Sequence, residues 1–108
     1  MSMKLSAAMG FAAKAGRVKS GEFAADKSVK SGNARLIILD SAASENTIKR
    51  WQDACSFRNV PLLCIDDAAA YMGKKSNKVF AITDDNFAEL ISNAAAGAAD
   101  DKNTTREV

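Results

Sequence analysis

Four consecutive apolar residues, Leu36-Ile37-Ile38-Leu39, sit between Arg35 and Asp40. A surface helix shows apolar residues every third or fourth position, and a half-buried strand shows them at alternate positions. A short run with no polar interruption fits a strand covered on both faces. Leu62-Leu63-Cys64-Ile65 and Val79-Phe80-Ala81-Ile82 repeat the pattern. Three such runs in 108 residues make a sheet the centre of the fold, and the segments between them have to cover it.

Those segments read as helices. Leu5, Ala8, Met9, Ala12 and Ala13 recur at helical spacing, so residues 3–14 predict an amphipathic helix ending at Lys14-Ala15-Gly16. Arg17-Val18-Lys19-Ser20 is a short candidate strand. Gly21 opens a second helix, 22–31, with Phe23, Ala24 and Val29 as inward positions and Ser31-Gly32-Asn33 as its stop. The loop Asp40 to Ser44 is rich in capping residues. A third helix, about 45–57, carries Ile48, Trp51, Ala54 and Cys55 on one face, with Trp51 a core residue.

Asn59-Val60-Pro61 turns the chain into the Leu62 strand, and Asp66-Asp67 reads as the N-cap of a short helix through Met72. Gly73 to Lys78 is a polar, basic loop. Asp84-Asp85 caps a final helix in which Phe87, Leu90 and Ile91 face the core. Residues 97–108, dominated by Ala, Asp, Thr and Asn, read as a disordered tail behind one domain, 1–96. The expected fold is α/β, a single-domain α-β-α sandwich with a four-stranded mixed sheet. Ligands of such folds meet loops at one end of the sheet. The candidate loops are Ser20-Gly21-Glu22, Asp40 to Ser44 and Gly73 to Lys78.

Composition narrows the chemistry. Histidine is absent, which excludes Ser-His-Asp and Cys-His catalysis, His-ligated metal sites and an imidazole switch. Two cysteines cannot build a four-thiolate zinc site. Asp26, Asp40, Asp66 and Asp67 form no readable catalytic pair, and a glycine-rich phosphate loop is missing. No catalytic residue, cofactor or metal is therefore expected. No apolar run approaches the roughly 20 residues that span a bilayer, and the N-terminus lacks the apolar core of a secretory signal. The expectation is a cytoplasmic protein without a membrane partner, with Cys55 and Cys64 as reduced, buried thiols.

The net charge of +2 hides an asymmetry. Up to position 35, Lys4, Lys14, Arg17, Lys19, Lys27, Lys30 and Arg35 are opposed only by Glu22 and Asp26. From position 84 onward acidic residues dominate, and Lys74, Lys75 and Lys78 form a compact basic cluster between the two regions. One basic and one acidic side suits either a polyanionic partner or a solvated surface.

At this point the sequence resembles a known family. Ala12-Ala13-Lys14-Ala15-Gly16-Arg17-Val18-Lys19-Ser20-Gly21-Glu22 is similar to the opening of the L-seven-Ae family of ribosomal and ribosome-associated RNA-binding proteins. Lys27-Ser28-Val29-Lys30-Ser31-Gly32-Asn33-Ala34-Arg35 and the apolar strand after it resemble the next segment. Ala42 to Thr47, Asn59-Val60-Pro61, Gly73 to Ile82 and Asp84 to Ala88 continue the match in order, over about residues 3–93 and most closely in the family's short bacterial branch.

The resemblance implies a non-enzymatic, monomeric binder of structured RNA, ribosomal RNA among the candidates, and of kink-turns in particular. A kink-turn is a sharply bent helix–bulge–helix element. Carried over residue by residue, it puts Gly21 and Glu22 at the RNA-facing turn, Lys27 on the exposed helix face and the Lys74–Lys78 loop over flipped-out bases. The RNA-side set is Arg17, Lys19, Gly21, Glu22, Phe23, Lys27, Lys30, Lys74, Lys75 and Ser76.

The chemistry of these residues agrees. Gly21 lets a phosphate backbone approach a helix N-terminus. Lysines attract phosphate, and Glu22 can accept from a guanine amino group. Each has a plainer role too: a strand-to-helix turn for Gly21, helix-dipole stabilisation for Glu22, solubility for the lysines.

Two departures stand out. Phe23 and Ala24 occupy positions where the family's kink-turn readers carry an Asn-Glu pair, and Ala69 stands where glycine is common. The Phe23 ring is either core or an exposed stacking platform, and the helix reading favours core. A protein-interaction module that kept the fold and lost the specific RNA readout is the alternative.

Overall fold

A computed structural model describes residues 4–102. The elements are α1 (Leu5–Lys14), β1 (Val18–Ser20), α2 (Glu22–Lys30), β2 (Leu36–Asp40), α3 (Glu45–Arg58), β3 (Leu62–Ile65), α4 (Ala68–Met72), β4 (Val79–Ile82) and α5 (Asp85–Lys102). The four strands form one sheet in the order β1-β4-β2-β3. β4 runs antiparallel to both its neighbours, and β2 and β3 are parallel. The sheet is therefore mixed, as the alternating pattern implied.

The unbroken apolar runs have a simple cause. In β2 and β4 successive side chains point to opposite faces, and both faces are covered. Leu36, Ile38, Phe80 and Ile82 pack with Met9, Met72 and Ile91 of α1, α4 and α5. Ile37, Leu39, Val79 and Ala81 pack with Ala25, Val29, Trp51 and Cys55 of α2 and α3. The molecule is thus a three-layer sandwich, with Trp51 in the core as expected.

β3 behaves differently because it lies at the sheet's edge. Ile65 is buried and Leu62 and Leu63 half-buried, but Cys64 is exposed. The expectation of two buried thiols holds for Cys55 only, and both cysteines are free. Burial pushes the Cys55 thiol up to about 11. Cys64 is also raised, by partial desolvation and then by the carboxylates of Asp66 and Asp40.

Helix ends follow capping chemistry in part. The Ser44 hydroxyl accepts from the Thr47 N–H at 3.1 Å, and the Asp84 carboxylate accepts from the Phe87 N–H at 3.1 Å. Asp67 precedes α4 but sits in the left-handed region, with φ 63°, and makes no side-chain cap. Its neighbour Asp66 instead accepts from the Ser41 hydroxyl. α5 runs to Lys102, past position 97 where the tail was expected to start, because Ala94-Ala95-Ala96 and Ala98-Ala99 favour helix. The rest of that expected tail, 103–108, lies outside the described residues.

Candidate nucleic-acid interface

The parallel pair β2 and β3 points its carboxyl ends the same way as the carboxyl end of β1, and antiparallel β4 starts at that end. Three loops consequently meet there. The Gly21 N–H donates to the Val79 carbonyl at 2.8 Å, and the Asp40 N–H donates to the Lys78 carbonyl at 2.9 Å. The loop after β1, the loop after β2 and the basic loop before β4 thus share one rim. These are the three loops singled out from the sequence.

Gly21 is the pivot. Its φ of 95° and ψ of 156° lie in a region that only glycine occupies without strain. This is what lets β1 turn directly into α2. A Cβ on Gly21 would lie 3.5 Å from Asn77 Oδ1, ordinary contact distance. The glycine requirement is therefore conformational rather than steric, and the contact shows how close the basic loop approaches. That loop is held at its base, where the Lys74 N–H donates to the Ala69 carbonyl and the Asn77 N–H to the Lys74 carbonyl, both at 3.0 Å. Lys74, Lys75, Ser76 and Lys78 are exposed around it.

Asp40 ties the rim together from beneath. It is buried, and its two oxygens accept from the Ala42 N–H at 2.8 Å and the Ala69 N–H at 2.9 Å. Burial alone would raise its pKa. The two backbone N–H groups, with Lys78 nearby, more than offset that and hold the carboxyl below its ordinary value. Asp40 thus fixes the start of the β2 loop and the first turn of α4, from which the basic loop departs. From the sequence it read as part of a loop and as a carboxylate without a catalytic partner.

The other expected residues divide between the two ends of the molecule. Lys19 pairs with Ala81 across the β1–β4 ladder and so lies on the α2 face, exposed at the sheet edge. Lys27 is exposed on α2, with no acidic partner among the described residues. Arg17 lies elsewhere. It is four residues before Gly21, roughly 13 Å along an extended chain, and pairs with Asp84 at 3.8 Å. Lys30 closes α2, about 12 Å from its start, and pairs with Asp26 at 3.0 Å. Arg17 and Lys30 are therefore not brought to the rim.

Glu22 and Phe23 differ from their expected surroundings. Glu22 forms an ion pair with Arg50 of α3, 28 positions away in sequence, a partner that no local pattern signals. Phe23 is 85% exposed, which corrects its inward assignment. The inward face of α2 is Ala25, Ser28 and Val29, and Phe23 falls about 200° from Ala25 at 100° per residue. Its stripe is instead that of Lys27 and Lys30, four and seven residues on, and this spacing was visible in the sequence.

No group of metal-ligating side chains occurs among the described residues, and no helix among them is long and apolar enough to cross a membrane. The rim is a surface of backbone turns and lysines, suited to holding a polyanion.

Comparison with known proteins bears on the family and the fold. The profile of the ribosomal protein L7Ae/L30e/S12e/Gadd45 family matches residues 3–92. The RNA-binding protein YlxQ of Bacillus subtilis is 36% identical over 86 residues, covering 77% of this chain and 86% of that protein. The RNA-binding protein YlxQ of Enterococcus faecium is 32% identical over 83 residues, covering 75% and 81%. A solved structure of a Bacillus halodurans protein of unknown function superposes with a TM-score of 0.79 at 26% identity, covering 86% of this chain and 97% of that one. A Giardia lamblia 15.5 kD RNA-binding protein shares the fold, with a TM-score of 0.67 at 22% identity and coverage of 86% and 82%. With the profile spanning most of its length and its strand order in place, the chain belongs to the ribosomal protein L7Ae/L30e/S12e/Gadd45 family.

Proposed function

We propose that this protein is a cytoplasmic, monomeric RNA-binding protein that grips structured, kink-turn-like RNA, such as ribosomal RNA, at the rim formed by Gly21 and the 73–78 loop. Its family is non-enzymatic. The observation that carries the reading is the hydrogen bond from the Gly21 N–H to the Val79 carbonyl, at 2.8 Å, which joins a helix start to the end of a lysine-bearing loop far away in sequence. Two relatives carry the name RNA-binding protein, and the family name includes ribosomal proteins.

The roles follow from chemistry. The first-turn N–H groups of α2 have no side-chain cap at Gly21 and can donate to phosphate oxygens. Lys27, Lys74, Lys75 and Lys78 neutralise phosphates, and Lys19 extends the basic path along the sheet edge. Glu22, held by Arg50, accepts from a base edge, while Ser76 and Asn77 serve sugar or base contacts. Arg17 and Lys30 contribute at most long-range attraction, since each has an acidic partner and lies at the other end.

The test is a gel-shift titration at two salt concentrations, comparing a kink-turn RNA with a straight duplex of equal length. The proposal expects tighter binding to the bent RNA and a steep loss of affinity with salt. Equal, weak binding to both would remove the structured-RNA reading. A second reading, a protein-docking module, draws on the exposed Phe23 ring. It expects purified protein to carry no RNA.

A further inference from the structure

Four large hydrophobic side chains are exposed among the described residues: Phe11, Phe23, Phe57 and Tyr71. Phe23 and Phe57 are the barest, at 85% and 81%. Phe57 carries its own cation, since the Arg58 guanidinium lies 5.7 Å from its ring centroid and the ring face is spoken for. Phe23 has no such cover among the described residues. It is two residues past Gly21, on the stripe of α2 that continues to Lys27, whose Cβ is roughly 5–6 Å away by helix geometry. The flank toward α3 holds the Glu22–Arg50 ion pair. A bare aromatic face therefore stands between a phosphate-attracting lysine and a polar pair, at the rim already described.

We propose that Phe23 is a stacking platform for one unpaired base, so that the protein selects RNA with an unstacked nucleotide beside the bend and is indifferent to which base it is. The inference rests on the RNA-binding reading and deepens it. Phenylalanine has no hydrogen-bonding group, so it cannot read the polar edges of a base pair. Its ring offers a π-face, and every base has one, so stacking discriminates unpaired from paired rather than one base from another. A base inside a duplex is covered on both sides and cannot use the platform. The neighbouring charge favours a nucleic acid over an apolar protein surface, because Lys27 would have to be desolvated against the latter.

The probe is a hairpin RNA interrupted by an unpaired bulge, with a fluorescent purine analogue at one bulge position and a fully paired hairpin as control. The wild-type protein is expected to quench the analogue on binding, as stacking does, whichever bulge position is substituted in turn by the four natural bases. Phe23→Ala should lose the quenching and weaken binding about tenfold, with the salt slope unchanged because no phosphate contact is lost. Phe23→Tyr should restore both. Since the side chain lies outside the core, the variant keeps its fold, which circular dichroism checks.

The outcomes separate the two levels. If wild type binds the bulged RNA and Phe23→Ala binds it equally tightly, stacking is overturned while the RNA-binding reading stands. If wild type binds neither hairpin, both fall. Loss of a protein partner from Phe23→Ala with RNA affinity intact overturns stacking and assigns the ring to protein docking.

Discussion

The two ends of the sheet are both basic, yet they are built differently. At the end away from Gly21, Lys30, Arg35 and Arg58 surround a cleft of about 350 Å³ floored by Val29, Ala34 and Val60. Arg35 pairs with Asp85 at 3.1 Å and Lys30 with Asp26, while Arg58 rests on Phe57. α2 and α3 also end there, and helix C-termini repel anions. At the Gly21 end, Lys74 and Lys75 form no ion pair among the described residues, Lys78 has only the buried Asp40 carboxylate nearby, and α2 begins there, while Lys27, also outside any ion pair among the described residues, stands in that helix's last turn. Counting charges makes the ends look alike. Asking whether each charge is already satisfied separates them.

The strongest way to break this contrast is to reverse charge at each end in turn. Lys27→Glu with Lys74→Glu should weaken binding to a bulged hairpin RNA on the order of a hundredfold and flatten the salt slope by about two contacts. Lys30→Glu with Arg35→Glu should change it less than about threefold, since long-range attraction between exposed charges is screened. Equal losses from both pairs would show that the rim has no special standing.

Gly21→Ala comes next. It forces an L-residue into a glycine-only conformation and should cost about 1–3 kcal/mol of stability in denaturant melts. RNA affinity should fall as well, because the turn that places the rim must distort. Gly32→Ala, at the far end with φ 82°, should cost similar stability and leave RNA affinity alone, which sharpens the comparison.

Asp40→Asn should destabilise by about 1–3 kcal/mol, since a carboxylate accepting from two backbone N–H groups, the Ala69 one buried, becomes an amide that offers one acceptor oxygen. The pH dependence has a defined sign. The folded-state pKa is lowered, so the carboxylate's contribution is complete above the ordinary value of about 4 and fades as pH falls through the folded value. Wild type should therefore lose stability on acidification more steeply than Asp40→Asn in urea melts. The smallest effect is in the thiols. Mass spectrometry after brief alkylation of native protein should find Cys64 modified and Cys55 protected.

Particular residues show what could be read in advance. The apolar runs announced strands, and because β2 and β4 are central the announcement was complete. β3 looked the same in sequence but lies at an edge, so Cys64 came out exposed; strand order depends on distant pairings that a local run cannot encode. The three rim loops were legible through their glycine, capping and lysine content. Arg50 was not, because its partner Glu22 lies on another helix. Phe23 was legible and misread, since its spacing to Lys27 and Lys30 tied it to the solvent side of α2.

The strand order also dictates when the rim at Gly21 can exist. Among the described residues β1 has β4 as its one hydrogen-bonded neighbour, so Val18 to Ser20 have no such partner until residues 79–82 have left the ribosome. During synthesis the residues up to Ile65 already include β2, α3 and β3, while the start of α2 waits without its facing loop. A nascent chain halted before Val79 would thus leave β1 without the strand it pairs with and Gly21 without the carbonyl that its N–H bonds.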